Sequence, residues 1–81
     1  MFSEKMDWST DTAKEKGTLS KREMDVILQI KDGLRNPEIA ANLGLSTKTV
    51  ENHVRSILQK LGAKNRTEAV VIALKSSIIE I

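Results

Sequence analysis

From Thr18 onward apolar residues recur every three or four positions, the period of a helix with one buried face. No stretch alternates with the period of two that a half-buried strand requires, so the pattern predicts four helices and no sheet. The first begins at Ser20, which forms with Glu23 the Ser-x-x-Glu of a capping box, where each side chain satisfies a backbone N–H of the opening turn. Met24, Ile27, Leu28 and Ile30 make its stripe, with Val26 on the flank, and Gly33 ends it. Asn36 before Pro37 reads as a side-chain cap followed by a residue whose missing N–H costs nothing in a first turn. The second helix is therefore short, about Pro37 to Leu43, with Ile39, Ala40 and Leu43 turned inward. Ser46 caps a third helix from about Thr47 to Leu61, whose buried stripe is Val50, Val54, Ile57 or Leu58, and Leu61; Gly62 stops it. A fourth, capped at Asn65 or Arg66, runs from about Thr67 to Ser76.

The fourth helix carries more apolar surface than one buried face can use. Ala69, Val70, Val71, Ile72, Ala73 and Leu74 cover more than one stripe, so part of the helix needs a cover. A second copy of the chain is the first candidate; the N-terminal arm or the C-terminal Ile78-Ile79 folding back is the other. Residues 1–17 are rich in charged and hydroxyl side chains and show no sustained apolar period, which marks a flexible N-terminal arm ahead of a domain spanning 18–81. Phe2, Met6 and Trp8 recur there at roughly helical spacing; a frayed terminus is the first reading of them, and a short helix that forms against a partner the second.

Length and composition narrow the class of function. The 81 residues suffice for one all-α domain with one modest core and leave no room for a deep substrate cavity. There is no cysteine, which removes disulfides and thiolate metal clusters, and His53 is the one imidazole. No second histidine and no convergent carboxylates stand at ligand or triad spacing, so neither a catalytic set, a metal site nor a cofactor is expected, and His53 reads as a packing or phosphate-contacting residue. The longest apolar run, Ala69 to Leu74, is far short of a membrane span, and the first residues lack the apolar core of a secretory signal. The expected setting is the cytoplasm. The formal net charge is only +2, but between Ser46 and Arg66 lie Lys48, Arg55, Lys60, Lys64 and Arg66 against the single acid Glu51. Such a local surplus suits a surface that faces phosphates.

The second and third helices are joined through Leu43-Gly44-Leu45-Ser46, the short glycine-containing connection of a helix-turn-helix. Glycine permits the reversal, Leu45 packs into the corner and Ser46 caps the third helix. In such units the second helix of the pair enters the major groove of double-stranded DNA. Its polar side here holds Thr47, Lys48, Glu51, Asn52, Arg55 and Gln59. Arginine can donate two bonds to guanine, asparagine can pair with adenine and glutamate can accept from cytosine, so Glu51, Asn52 and Arg55 are the candidate base readers. The hydroxyls of Ser46, Thr47 and Thr49 at the positive end of the helix, with the charge of Lys48, suit phosphate.

Taken together, Leu19-Ser20-Lys21-Arg22-Glu23, Asn36-Pro37-Glu38-Ile39-Ala40, Leu43-Gly44-Leu45-Ser46, Lys48-Thr49-Val50-Glu51-Asn52-His53-Val54, Lys60-Leu61-Gly62 and Asn65-Arg66-Thr67-Glu68-Ala69 strongly resemble the LuxR-type (GerE, NarL) helix-turn-helix. The likeness runs from about Thr18 to Leu74. It implies a four-helix domain, recognition by the third helix with Glu51, Asn52 and Arg55 at base edges, and Thr47, Lys48, Thr49 and Lys60 toward the backbone. It also implies a homodimer through the fourth helix, for which Ala69, Val70, Ala73 and Leu74 are the candidate contacts, and RNA polymerase as a further partner. Most relatives carry an N-terminal sensor domain, which this sequence lacks; the short arm after Met1 is similar to that of stand-alone members, and a complete single-domain regulator is expected.

Two other readings compete with a homodimeric transcriptional regulator. An antagonist that pairs through the fourth helix with related regulators would not need Arg55 and Asn52. A promoter reader resembling region four of sigma factors shares the helix-turn-helix, but not the apolar fourth helix.

Overall fold

The computed structural model describes residues 19–80; the expected arm at residues 1–17 lies outside the described residues. Four α-helices succeed one another: α1 (Lys21–Lys31), α2 (Asn36–Leu43), α3 (Thr47–Leu61) and α4 (Arg66–Lys75). Among the described residues there is no strand. The helix starts are fixed by side-chain chemistry. At α1 the capping box is complete, with Glu23 N–H donating to Ser20 Oγ at 3.1 Å and Ser20 N–H donating to Glu23 Oε1 at 2.9 Å. At α4, Asn65 Oδ1 accepts from Glu68 N–H at 2.8 Å, and the Glu68 carboxylate in turn accepts from Lys64 N–H at 2.6 Å.

The start of α2 differs from expectation. Its cap is Arg35, one residue earlier than Asn36, and Asn36 is the first helical residue. A guanidinium has no acceptor to offer the opening N–H groups. The work falls to Glu38, whose Oε1 accepts from Arg35 N–H at 2.7 Å. The Asn36 side chain, released from capping, instead accepts from Arg66 Nη1 at 3.0 Å and ties the start of α2 to the start of α4.

The core is assembled around α3, which packs on α1, α2 and α4. Val26 and Ile27 of α1, Ile39 of α2 and Val50 of α3 are fully buried, and Ile57 of α3 nearly so. Burying each such side chain contributes roughly 1.5–3 kcal/mol relative to leaving it exposed. Helix α4 meets this core through its smallest residues, Ala69 and Ala73, which are 1% and 0% exposed. Small side chains let the helix axis approach closely and leave room for the tail. Ser77, with φ of 59°, turns the chain back after α4, and Ile78 N–H and Ile79 N–H donate to Ala73 O at 2.8 Å and 3.3 Å. Ile79 is then only 4% exposed. Of the two covers considered for α4, the C-terminal Ile78-Ile79 does fold back, and Ala69 and Ala73, expected at a subunit contact, lie instead inside the protomer's own core.

Candidate nucleic-acid interface

The α2–α3 connection sets the angle between the two helices. Gly44 sits in the left-handed region at φ 70°, where a Cβ is strained, and Leu45 packs from the corner onto the core. Ser46 comes next in extended conformation, and its Oγ accepts from Thr49 N–H at 3.0 Å, opening α3. The Ser46 hydroxyl proton is also committed, donating to Thr49 Oγ1 at 2.9 Å. Of the hydroxyls expected at phosphate, Ser46 is thus occupied in holding the helix end, while Thr47 and Thr49 are both half-buried beside it.

Opposite the buried Val50 and Ile57, the side chains of Lys48, Glu51, Asn52, Arg55 and Gln59 are all exposed. The structure therefore brings the expected base readers and Lys48 onto one continuous polar face of α3. Within it Arg55 Nη1 donates to Asn52 Oδ1 at 3.1 Å. Glu51 and Thr47 lie at one edge of this face and also line an open cleft of about 780 Å³, together with Ile30, Leu34 and, from α4, Val70 and Val71. On α4 itself, Val71 is the exposed large hydrophobic residue at 42%, with Val70 and Leu74 half-buried along the same side. Among the described residues no group of three or more His, Cys, Asp or Glu could hold a metal ion, and no helix is long and apolar enough to cross a membrane.

The flank of α3 that faces α1 holds a feature that sequence reasoning missed. Lys60, expected near the DNA backbone, places its Nζ 2.8 Å from Oε1 of Glu23, and Ser56 Oγ donates to Oε2 of the same carboxylate at 2.6 Å. Glu23 is buried, at 5% exposure, while the Lys60 side chain remains 40% exposed. Burial pushes the Glu23 carboxyl up, but the hydrogen bonds from Lys60, Ser56 and the Ser20 N–H, with the charge of Lys60, outweigh it and hold the group below the usual carboxylate range. The capping role of Glu23 is legible from its spacing to Ser20; its reach to α3 is not. A Lys60 contact to phosphate must share the ammonium with this internal bond.

Comparison with known proteins bears on what this arrangement is. The family described as "Bacterial regulatory proteins, luxR family" matches residues 17–73. The uncharacterized transcriptional regulatory protein YxjL of Bacillus subtilis is 48% identical over 61 residues, which cover 75% of this chain and 28% of that protein. The response regulator protein VraR of Staphylococcus aureus is 42% identical over 62 residues, covering 76% of this chain and 30% of that one. The chain thus spans less than a third of the length of these two relatives. Among solved structures, the transcription factor GerE superimposes with a TM-score of 0.72 at 30% identity over 74% of this chain and 90% of GerE. The response regulator ChrA of a heme-sensing two-component system gives 0.75 at 35% identity, over 88% of this chain and 33% of ChrA.

Proposed function

The chain belongs to the luxR family of bacterial regulatory proteins and carries its helix-turn-helix DNA-binding domain, and from that premise we propose that it is a sequence-specific transcriptional regulator, not an enzyme, reading the major groove with α3 as a homodimer on DNA in the cytoplasm. The observation that carries the proposal is the single exposed polar face of α3, on which Lys48, Glu51, Asn52 and Arg55 stand together directly after a capped helix start. Base-edge chemistry assigns the face formed by Glu51, Asn52 and Arg55 to readout, and Thr47, Lys48 and Thr49 to phosphate, where the unpaired N–H groups of the α3 start add donors.

Pairing of two copies is assigned to the outward side of α4, through Val70, Val71 and Leu74; Ala69 and Ala73 take no part because they are buried in the protomer. A ten-residue helix is roughly 15 Å long, too short for a contact of the ~800 Å² per partner usual in stable complexes. The dimer is therefore weak in free solution and completed when two copies occupy adjacent half-sites about one helical turn apart. In vitro selection of random duplexes with the purified chain tests the proposal. A two-fold symmetric motif supports it; binding without any enriched motif leaves only phosphate attraction and overturns it.

A further inference from the structure

Asn52 and Arg55 stand three residues apart on the exposed face of α3, and Arg55 Nη1 donates to Asn52 Oδ1 at 3.1 Å. Long side chains on a helix lean toward its N-terminus, so this bond draws the guanidinium back over the preceding turn, toward the half of the helix that faces base edges in a helix-turn-helix. Each partner changes as a reader. Asparagine recognises adenine by accepting from N6 through Oδ1 while donating to N7 through Nδ2. Here Oδ1 is turned onto a guanidinium. Arginine, with five N–H donors and one of them spent, retains a parallel pair suited to O6 and N7 of guanine.

We infer that Asn52 is a positioning residue for Arg55, not an independent reader of adenine, and that the two side chains act as one unit selecting a single guanine in each half-site. The inference rests on the proposal that the exposed face of α3 reads bases. Unrestrained, an exposed arginine samples many rotamers; the carboxamide acceptor biases the fork toward one of them before DNA arrives, which favours the one base able to accept both bonds.

The test is selection of random duplexes by the full chain, by Arg55→Ala, by Asn52→Ala and by Asn52→Asp at one salt concentration. Arg55→Ala is expected to lower the preference for guanine at one half-site position roughly tenfold. Asn52→Ala is expected to lower the preference at that same position, about twofold, and to change no other. Asn52→Asp keeps an acceptor for Arg55, so the guanine preference returns although overall affinity falls from the added negative charge. An adenine preference lost at a separate position in Asn52→Ala, with guanine unchanged, overturns the inference alone. Failure of the unmodified chain to enrich any motif overturns the base-reading proposal and this inference with it.

Discussion

The ammonium of Lys60, in the last turn of α3, lies 2.8 Å from the buried carboxylate of Glu23 in the first turn of α1. Ser56, one turn earlier on α3, donates to the other oxygen of that carboxylate. The helix proposed to enter DNA is thereby fastened to α1 at two points along one flank. Its polar outer face is exposed, so the residues that hold the helix in place are separate from those proposed to meet DNA.

Removing Lys60 tests that separation. Glu23 would keep its burial but lose its counter-charge, a change that costs several kcal/mol when both partners are buried. Lys60 is 40% exposed, and water screens part of the loss, so Lys60→Ala is expected to destabilise the domain by about 1–2 kcal/mol in urea unfolding. Lys48→Ala, at an exposed position, is expected to change stability by less than about 0.5 kcal/mol while lowering affinity for all DNA sequences alike.

The same carboxylate sets an acid limit. Its folded-state pKa lies below the ordinary value, so its contribution is fully present above the unfolded pKa and is lost as pH falls through the folded one. Unfolding of the natural chain and of Glu23→Gln should therefore differ most near neutral pH. The difference should shrink once pH drops below the usual carboxylate range of about 4. A stability difference that grew on acidification would contradict this assignment.

Ile79, on the tail whose backbone returns to Ala73 of α4, belongs to the core and is 4% exposed. Ile79→Ala is expected to cost about 2 kcal/mol, at the low end for buried isoleucine because a tail can relax into the space. Thermal unfolding reads the effect directly.

On α4 the inner and outer sides should respond in opposite ways. Ala69→Asp places a charge in the core and should prevent folding, visible as loss of helical circular dichroism. Val71→Lys alters an exposed position and should leave the fold intact, yet lower the stoichiometry on a two-half-site duplex from two chains to one in sedimentation. Two chains bound with Val71→Lys at unchanged affinity would exclude this face from the dimer.

Much of this architecture is legible in the sequence because it is written in local signals. Ser20 with Glu23 and Ser46 each start a helix where their spacing places it, Asn65 is the one of two candidate caps that opens α4, and the apolar stripe of α3 coincides with its buried face. The features that escape depend on contacts distant along the chain. The Glu23–Lys60 pair joins residues 37 apart, and nothing in the capping box announces it. Asn36 has the local chemistry of a cap, yet a guanidinium from α4 claims its oxygen instead. The surplus apolar surface of α4 is plain in the sequence, but a residue count cannot say which side is inward, and the core takes the small Ala69 and Ala73. The polar face of α3 is legible in composition, whereas the bond that turns Asn52 toward Arg55 is not.

The most direct measurement of the central claim is the affinity of Arg55→Ala for the selected duplex and for a scrambled duplex of equal length, at one stated salt concentration. Base reading by α3 predicts a loss of about 1–3 kcal/mol on the selected duplex and little change on the scrambled one. Equal losses on both would reduce Arg55 to a phosphate contact and contradict the claim.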